Sequence, residues 1–110
     1  EEIITPTAAE HNQHVFHVYA VRVNDRDRVL QSMADKGISC AIHYPVPVHL
    51  QGAYSSLGYR KGSFQIAERC AEQFLSLPMY PELSVEQIHA VAAALKECVA
   101  DVKKPDSAFA

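Results

Sequence analysis

One short segment holds the side chains best suited to chemistry. Ile42-His43-Tyr44-Pro45-Val46-Pro47-Val48-His49-Leu50-Gln51 carries two imidazoles and a phenol. Pro45 and Pro47 each fix their own φ and push the preceding residues, Tyr44 and Val46, towards extended geometry. The pattern predicts a stiff, extended loop that presents His43, Tyr44 and His49. An imidazole can donate, accept or change charge near neutral pH, and a phenol can donate or accept. A rigid loop bearing such groups suits ligand binding. It suits equally a turn whose side chains satisfy local backbone groups.

Other chemistry has thinner support. His11, His14 and His17 are three apart, but on an extended strand His14 and His17 point to opposite faces. No cysteine or carboxylate joins them at a zinc spacing, so no metal is expected. Tyr54, Tyr59 and Tyr80 could rim a sugar site or pack their rings and keep the hydroxyl wet. Arg60 and Lys61 beside Gly62 could meet a diphosphate, against a default of solvated loop charges. No glycine-rich phosphate cradle joins a strand to a helix. Cys40, Cys70 and Cys98 are odd in number, far apart and on apolar phases of their segments. They are expected to be reduced, buried thiols of a cytoplasmic protein.

The elements that must position the loop follow from periodicity. Residues 1–12 are polar and irregular. Val15 to Val23 is dense in β-branched and aromatic residues and predicts a buried strand. Asn24 is placed to cap a helix, with Asp27 in the capping-box place, and Val29, Leu30 and Met33 form its stripe. Gly37 suits the left-handed position after its end. Ile38 to Ile42 predicts a second strand that delivers the loop. Gln51 to Gly62 predicts a compact loop with a helical turn. Ser63 is a candidate cap for a helix with Ala67, Cys70, Ala71 and Phe74 at helical spacing. Leu75 to Met79 predicts a short strand closed by Pro78 and Pro81. Ser84-Val85-Glu86-Gln87 fits a capping box, followed by the apolar stripe Ile88, Val91, Ala92, Leu95 and Val99.

The resulting order, β-α-β-loop-α-β-α, predicts an α/β (α+β) two-layer sandwich: a small mixed sheet with helices on one face. Val15 to Ile42 has the length of a parallel crossover unit, and antiparallel pairing of the third strand fits as well. With 110 residues, 48% apolar and 21% charged, there is room for one domain and one modest core. Net charge is −3 with no basic stripe, which argues against nucleic acid. No apolar run approaches the roughly 18 to 20 residues of a membrane helix.

Read in order, His17-Val18-Tyr19, Gly37-Ile38, the His43 to Gln51 segment, Ala53-Tyr54 and Leu75-Ser76-Leu77-Pro78-Met79-Tyr80-Pro81-Glu82-Leu83 resemble the C-terminal region of the DegT/DnrJ/EryC1/StrS family. The resemblance covers about residues 10 to 100. It implies the small domain of a pyridoxal-phosphate-dependent aminotransferase that acts on nucleotide-linked keto sugars, for surface polysaccharide or similar amino-sugar products. Residues 13–102 would form that domain and 103–110 a flexible tail. The family's Schiff-base lysine lies in a larger N-terminal domain. Lys36, Lys61, Lys96, Lys103 and Lys104 do not match its context. The chain alone is therefore expected to hold no cofactor and to be inactive, as an excised domain or a truncated product. By resemblance His43 and Tyr44, and less strongly His49, are substrate-side contacts, and a homodimer is expected. The alternative is a self-standing α/β binding module that self-associates.

Overall fold

The computed structural model describes residues 2–102. Its three strands are β1 (Ile3–Ile4), β2 (Tyr19–Val23) and β3 (Phe74–Leu77), in the order β1-β2-β3. The helices are α1 (Arg26–Asp35), α2 (Gln65–Gln73) and α3 (Val85–Val102), and two 3₁₀ turns cover Val48–Leu50 and Gly52–Leu57. Both pairings are antiparallel. The predicted α/β sandwich is present, with antiparallel pairing realised for the last strand, so that among the described residues the sheet is antiparallel throughout and not mixed.

Strand alternation explains the core. Val21 stands opposite Leu75 and Tyr19 opposite Leu77, so these four share one face. Val21, Val23 and Leu75 are buried there beneath Val29 and Met33 of α1 and Leu95, Cys98, Val99 and Val102 of α3. Val29 and Met33 are one helical turn apart, as are Leu95 and Val99. Burying each such side chain contributes roughly 1.5–3 kcal/mol. Arg22, which alternation puts on the opposite face, reaches Cys70 Sγ of α2 at 3.7 Å.

Several expected elements are shorter or differently made. The strand expected from Val15 begins at Tyr19. Phe16 sits at φ 45°, its N–H donates to His14 Nδ1 (2.8 Å), and Val15 is exposed. Phe16 stacks on His14 and tilts against Tyr19, so the aromatic side chains that signalled a strand form a local ring cluster instead. Ile3–Ile4, in the stretch expected to be irregular, forms the outer strand β1. Ile38 to Ile42 is not a strand. Only Ala41 pairs, exchanging two backbone hydrogen bonds with Ser76 (2.8 and 3.0 Å).

Capping also departs from expectation at two helices. Asp25, at φ 49°, occupies the N-cap of α1 with no side-chain bond to the helix. Asn24 Oδ1 instead accepts from Gln73 Nε2 (2.9 Å), and Asp27 pairs with Arg26 (2.6 Å). Phe64, not Ser63, takes the N-cap of α2, while Ser63 Oγ accepts from the Arg60 N–H (3.0 Å). Gly37 adopts φ 75° after α1 as expected, and its N–H donates to Ala34 O. The capping box before α3 forms in both directions: Ser84 N–H to Gln87 Oε1 (2.8 Å) and Gln87 N–H to Ser84 Oγ (3.2 Å).

The predicted stripe of α3 is only half used. Leu95 and Val99 are buried, but Ile88 is 50% exposed. Around Ile88 and Val91 the helix overhangs an apolar groove of about 470 Å³, bounded by Ile3, Tyr19, Leu77 and Met79. Cys40, Cys70 and Cys98 are free thiols, and burial pushes those of Cys40 and Cys98 up in pKa. Residues 103–110, expected to be a flexible tail, lie outside the described residues. No described helix is long and apolar enough to cross a membrane.

Candidate functional site

The predicted loop leaves the sheet at the Ala41–Ser76 bridge, and the same Ser76 takes hold of its first functional side chain. His43 Nδ1 lies 2.9 Å from Ser76 Oγ. Ser76 is buried on β3, whereas His43 itself is exposed. With Nδ1 engaged inward, Nε2 is the nitrogen left for another partner. The Tyr44 ring meets the His43 ring edge-on, with centroids 5.4 Å apart at 86°. Tyr44 is 72% exposed. An imidazole and a phenol therefore stand together at the surface beside the sheet edge, one of them anchored.

His49 has a different setting. Its side chain is only 8% exposed, and Nε2 lies 2.9 Å from Glu68 Oε1. Its ring packs edge-on against Phe64, which in turn packs on Tyr59. Glu68 is the hub of this cluster. Its carboxylate accepts from the Gly62 N–H (2.8 and 2.9 Å) and the Phe64 N–H (3.2 Å). The Gly62 N–H, then the Phe64 N–H and His49, hold the Glu68 carboxyl below the usual carboxylate range against the opposing effect of burial. Sequence reasoning missed Glu68. Its signal was an acidic residue in the first turn of a helix that follows a glycine-containing turn.

The structure thus brings His43 and Tyr44 together and ties His49 to a separate hub. The amides near Arg60 and Lys61 that could cradle a phosphate are already occupied by Glu68. Lys61 approaches Glu72 at 4.0 Å, with both side chains exposed. Tyr54, Tyr59 and Tyr80 are each about half exposed. His14 is taken up by Phe16. Among the described residues no group of three His, Cys, Asp or Glu side chains is placed to hold a metal ion.

A site for pyridoxal phosphate would call for a reactive lysine and a set of phosphate-binding donors. A Schiff base needs a lysine that can become neutral. Lys36 donates to Glu97 at 2.9 Å, and that hydrogen bond with the charge of Glu97 raises its pKa. Lys96 stands at the rim of the apolar groove. The Gly62 and Phe64 amides are held by Glu68.

The chain matches the family model described as the DegT/DnrJ/EryC1/StrS aminotransferase family over residues 1–96. A pleiotropic regulatory protein of Geobacillus stearothermophilus is 40% identical over 95 residues, covering 86% of this chain and 26% of that protein. A dTDP-3-amino-3,4,6-trideoxy-alpha-D-glucose transaminase of Micromonospora megalomicea subsp. nigra is 39% identical over 95 residues, covering 86% of this chain and 25% of that protein. The crystal structure of S. venezuelae DesV in complex with a ketimine intermediate superposes with a TM-score of 0.84 at 37% identity. It covers 90% of this chain and 27% of that one. The chain spans about a quarter of the length of the curated relatives it matches.

Proposed function

Because the chain belongs to the DegT/DnrJ/EryC1/StrS aminotransferase family, we propose that it is the substrate-side small domain of an aminotransferase acting on a nucleotide-linked keto sugar. The reaction chemistry is supplied by pyridoxal phosphate held elsewhere in a longer cytoplasmic polypeptide. This domain binds and orients the sugar nucleotide. The observation that carries this reading is the exposed His43–Tyr44 pair, anchored at the sheet edge through Ser76. Oxygen-rich ligands such as sugar hydroxyls and phosphates suit these two side chains. His49, with its ring enclosed and its Nε2 engaged by Glu68, holds the loop rather than the ligand.

The test is His43→Ala and Tyr44→Phe in the full-length polypeptide that carries the domain. A lost hydrogen bond to a neutral group costs about 0.5–1.5 kcal/mol, and one to a charged group about 1.5–3. That corresponds to a fall in kcat/KM for the sugar of roughly twofold to more than a hundredfold. The cofactor absorption should be unchanged. Wild-type kcat/KM with a lowered Tm would show that the pair is scaffold.

One observation favours self-association as a second property. Val48, Leu57 and Ile66 are between 61% and 79% exposed along the loop and the start of α2. Such apolar side chains mark interfaces when they are contiguous, and a symmetric homodimer is the commonest way to cover them. Light scattering at high concentration should give about twice the chain mass. A strict monomer would refute it.

A further inference from the structure

Ser76 acts on the candidate site through two separate sets of atoms. Its backbone exchanges both hydrogen bonds with Ala41, and its hydroxyl meets His43, two residues further on. One strand residue thus fixes both the path of the chain entering the loop and the ring of the loop's first functional side chain. Ser76 is only 5% exposed.

A buried hydroxyl has one proton to place, and leaving it without an acceptor is costly. Among the described residues His43 Nδ1, at 2.9 Å, is the one side-chain partner of Ser76 Oγ. Were Nδ1 protonated, it would donate to Oγ and the serine proton would need a second acceptor. With Nδ1 bare, the serine O–H donates to it and both groups are satisfied. The ring proton then sits on Nε2. The Tyr44 ring meets the imidazole edge-on, at 86°.

We propose that Ser76 is a positioning residue for His43: its hydroxyl donates to Nδ1, so the neutral imidazole keeps its proton on Nε2 and presents one outward hydrogen-bond donor to an oxygen acceptor of the substrate. The acceptor class is a sugar hydroxyl, a carbonyl or a phosphate oxygen. A neutral Nε2–H can donate to any of the three without a negative charge opposite it. The functional half of this inference rests on the reading of His43 as ligand-facing; the tautomer half stands without it.

The test uses the 110-residue chain labelled with 15N, at pH 8, where an ordinary histidine is neutral. Long-range 1H–15N correlation spectra report which ring nitrogen carries the proton, and His43→Gln identifies the His43 signals. The wild type should show a single state with the proton on Nε2. Ser76→Ala should show the two forms exchanging, as in a free imidazole, and Ser76→Thr, which keeps the hydroxyl on a strand-compatible residue, should restore the single state. Slow exchange of the Ala41 and Ser76 amides should persist in both variants, showing that the bridge survives. A wild-type proton on Nδ1 would overturn the proposal. So would an unchanged tautomer in Ser76→Ala, or a changed tautomer only together with loss of the bridge. Because the readout needs no substrate, it can fail or succeed independently of the His43→Ala kinetics.

Discussion

Replacing Arg26 by Leu should lower stability sharply, although the position is buried and leucine is the more apolar residue. Arg26 is 7% exposed at the start of α1. Its Nη1 donates to Phe74 O (2.9 Å) and Ala71 O (3.2 Å), and its Nε to Asp27 Oδ1 (2.6 Å). The two carbonyls lie at the end of α2, where backbone acceptors lack helical partners and a cation is favourable. Two effects compete. Removing the guanidinium relieves the cost of burying a charge. It also strands two carbonyls in a site that Leu cannot satisfy, and a hydrogen bond to a charged group contributes about 1.5–3 kcal/mol. One nitrogen serves both carbonyls, so the two bonds do not add fully, and we expect a loss of about 2–4 kcal/mol. At about 4–8 °C per kcal/mol for a domain of this size, Tm should fall by roughly 10–30 °C. Arg26→Lys keeps the charge without the fork and should lose about half as much. Asp27 is 83% exposed, so Asp27→Ala should cost no more than about 1 kcal/mol. Thermal melts followed by circular dichroism decide the matter. A Leu variant within about 3 °C of wild type would refute the view that Arg26 joins α1 to the α2–β3 junction.

Acid should release the Gly62–Phe64 turn before the core. The Glu68 carboxyl is depressed by the Gly62 and Phe64 amides and His49, so its contribution is present above the ordinary carboxylate pKa and is lost as pH falls through its lower folded value. Protection of the Gly62 and Phe64 amides, taken relative to their intrinsic exchange rates, should fall as the pH drops through the depressed Glu68 pKa, and in Glu68→Gln it should be weak already at neutral pH; full protection in that variant would contradict the assignment. Borohydride reduction of the chain after incubation with pyridoxal phosphate should leave no stoichiometric label on a single lysine, as mass spectrometry of tryptic peptides will show. Leu95→Ala, at a core position 3% exposed, should cost about 2–5 kcal/mol in urea unfolding, and a loss below about 1 kcal/mol would mean that α3 is not packed as described.

The features legible in the sequence are those set by local rules. The capping box at Ser84, the turn at Gly37 and the stripe Val29–Met33 each depend on residues within a turn or two, and each formed as expected. What escaped depends on contacts distant in sequence. Asn24 had the chemistry of a cap, but Gln73, forty-nine residues away, engages its side chain. Ile38 to Ile42 had the composition of a strand, but β3 offers it pairing at Ser76 alone. At the candidate site, the proline pattern led to His43 and Tyr44. The partners that separate their setting from that of His49, namely Ser76 and Glu68, lie thirty-three and nineteen residues away and carried no periodic signal.

The uneven burial of α3 divides one helix into two kinetic regimes. Its first turns are begun by the reciprocal Ser84–Gln87 bonds yet leave Val85 and Ile88 at least half exposed, while Leu95, Cys98, Val99 and Val102 sit in the core. Amides early in the helix need only a local fraying event to exchange with solvent; those near Leu95 and Val99 must wait for the sheet face to open. Protection should therefore rise steeply from one end of this continuous helix to the other, without any break in its geometry. A domain that lays another surface along the groove beside Ile88 would flatten that gradient, turning the lightly held end into part of the same cooperative unit as the rest.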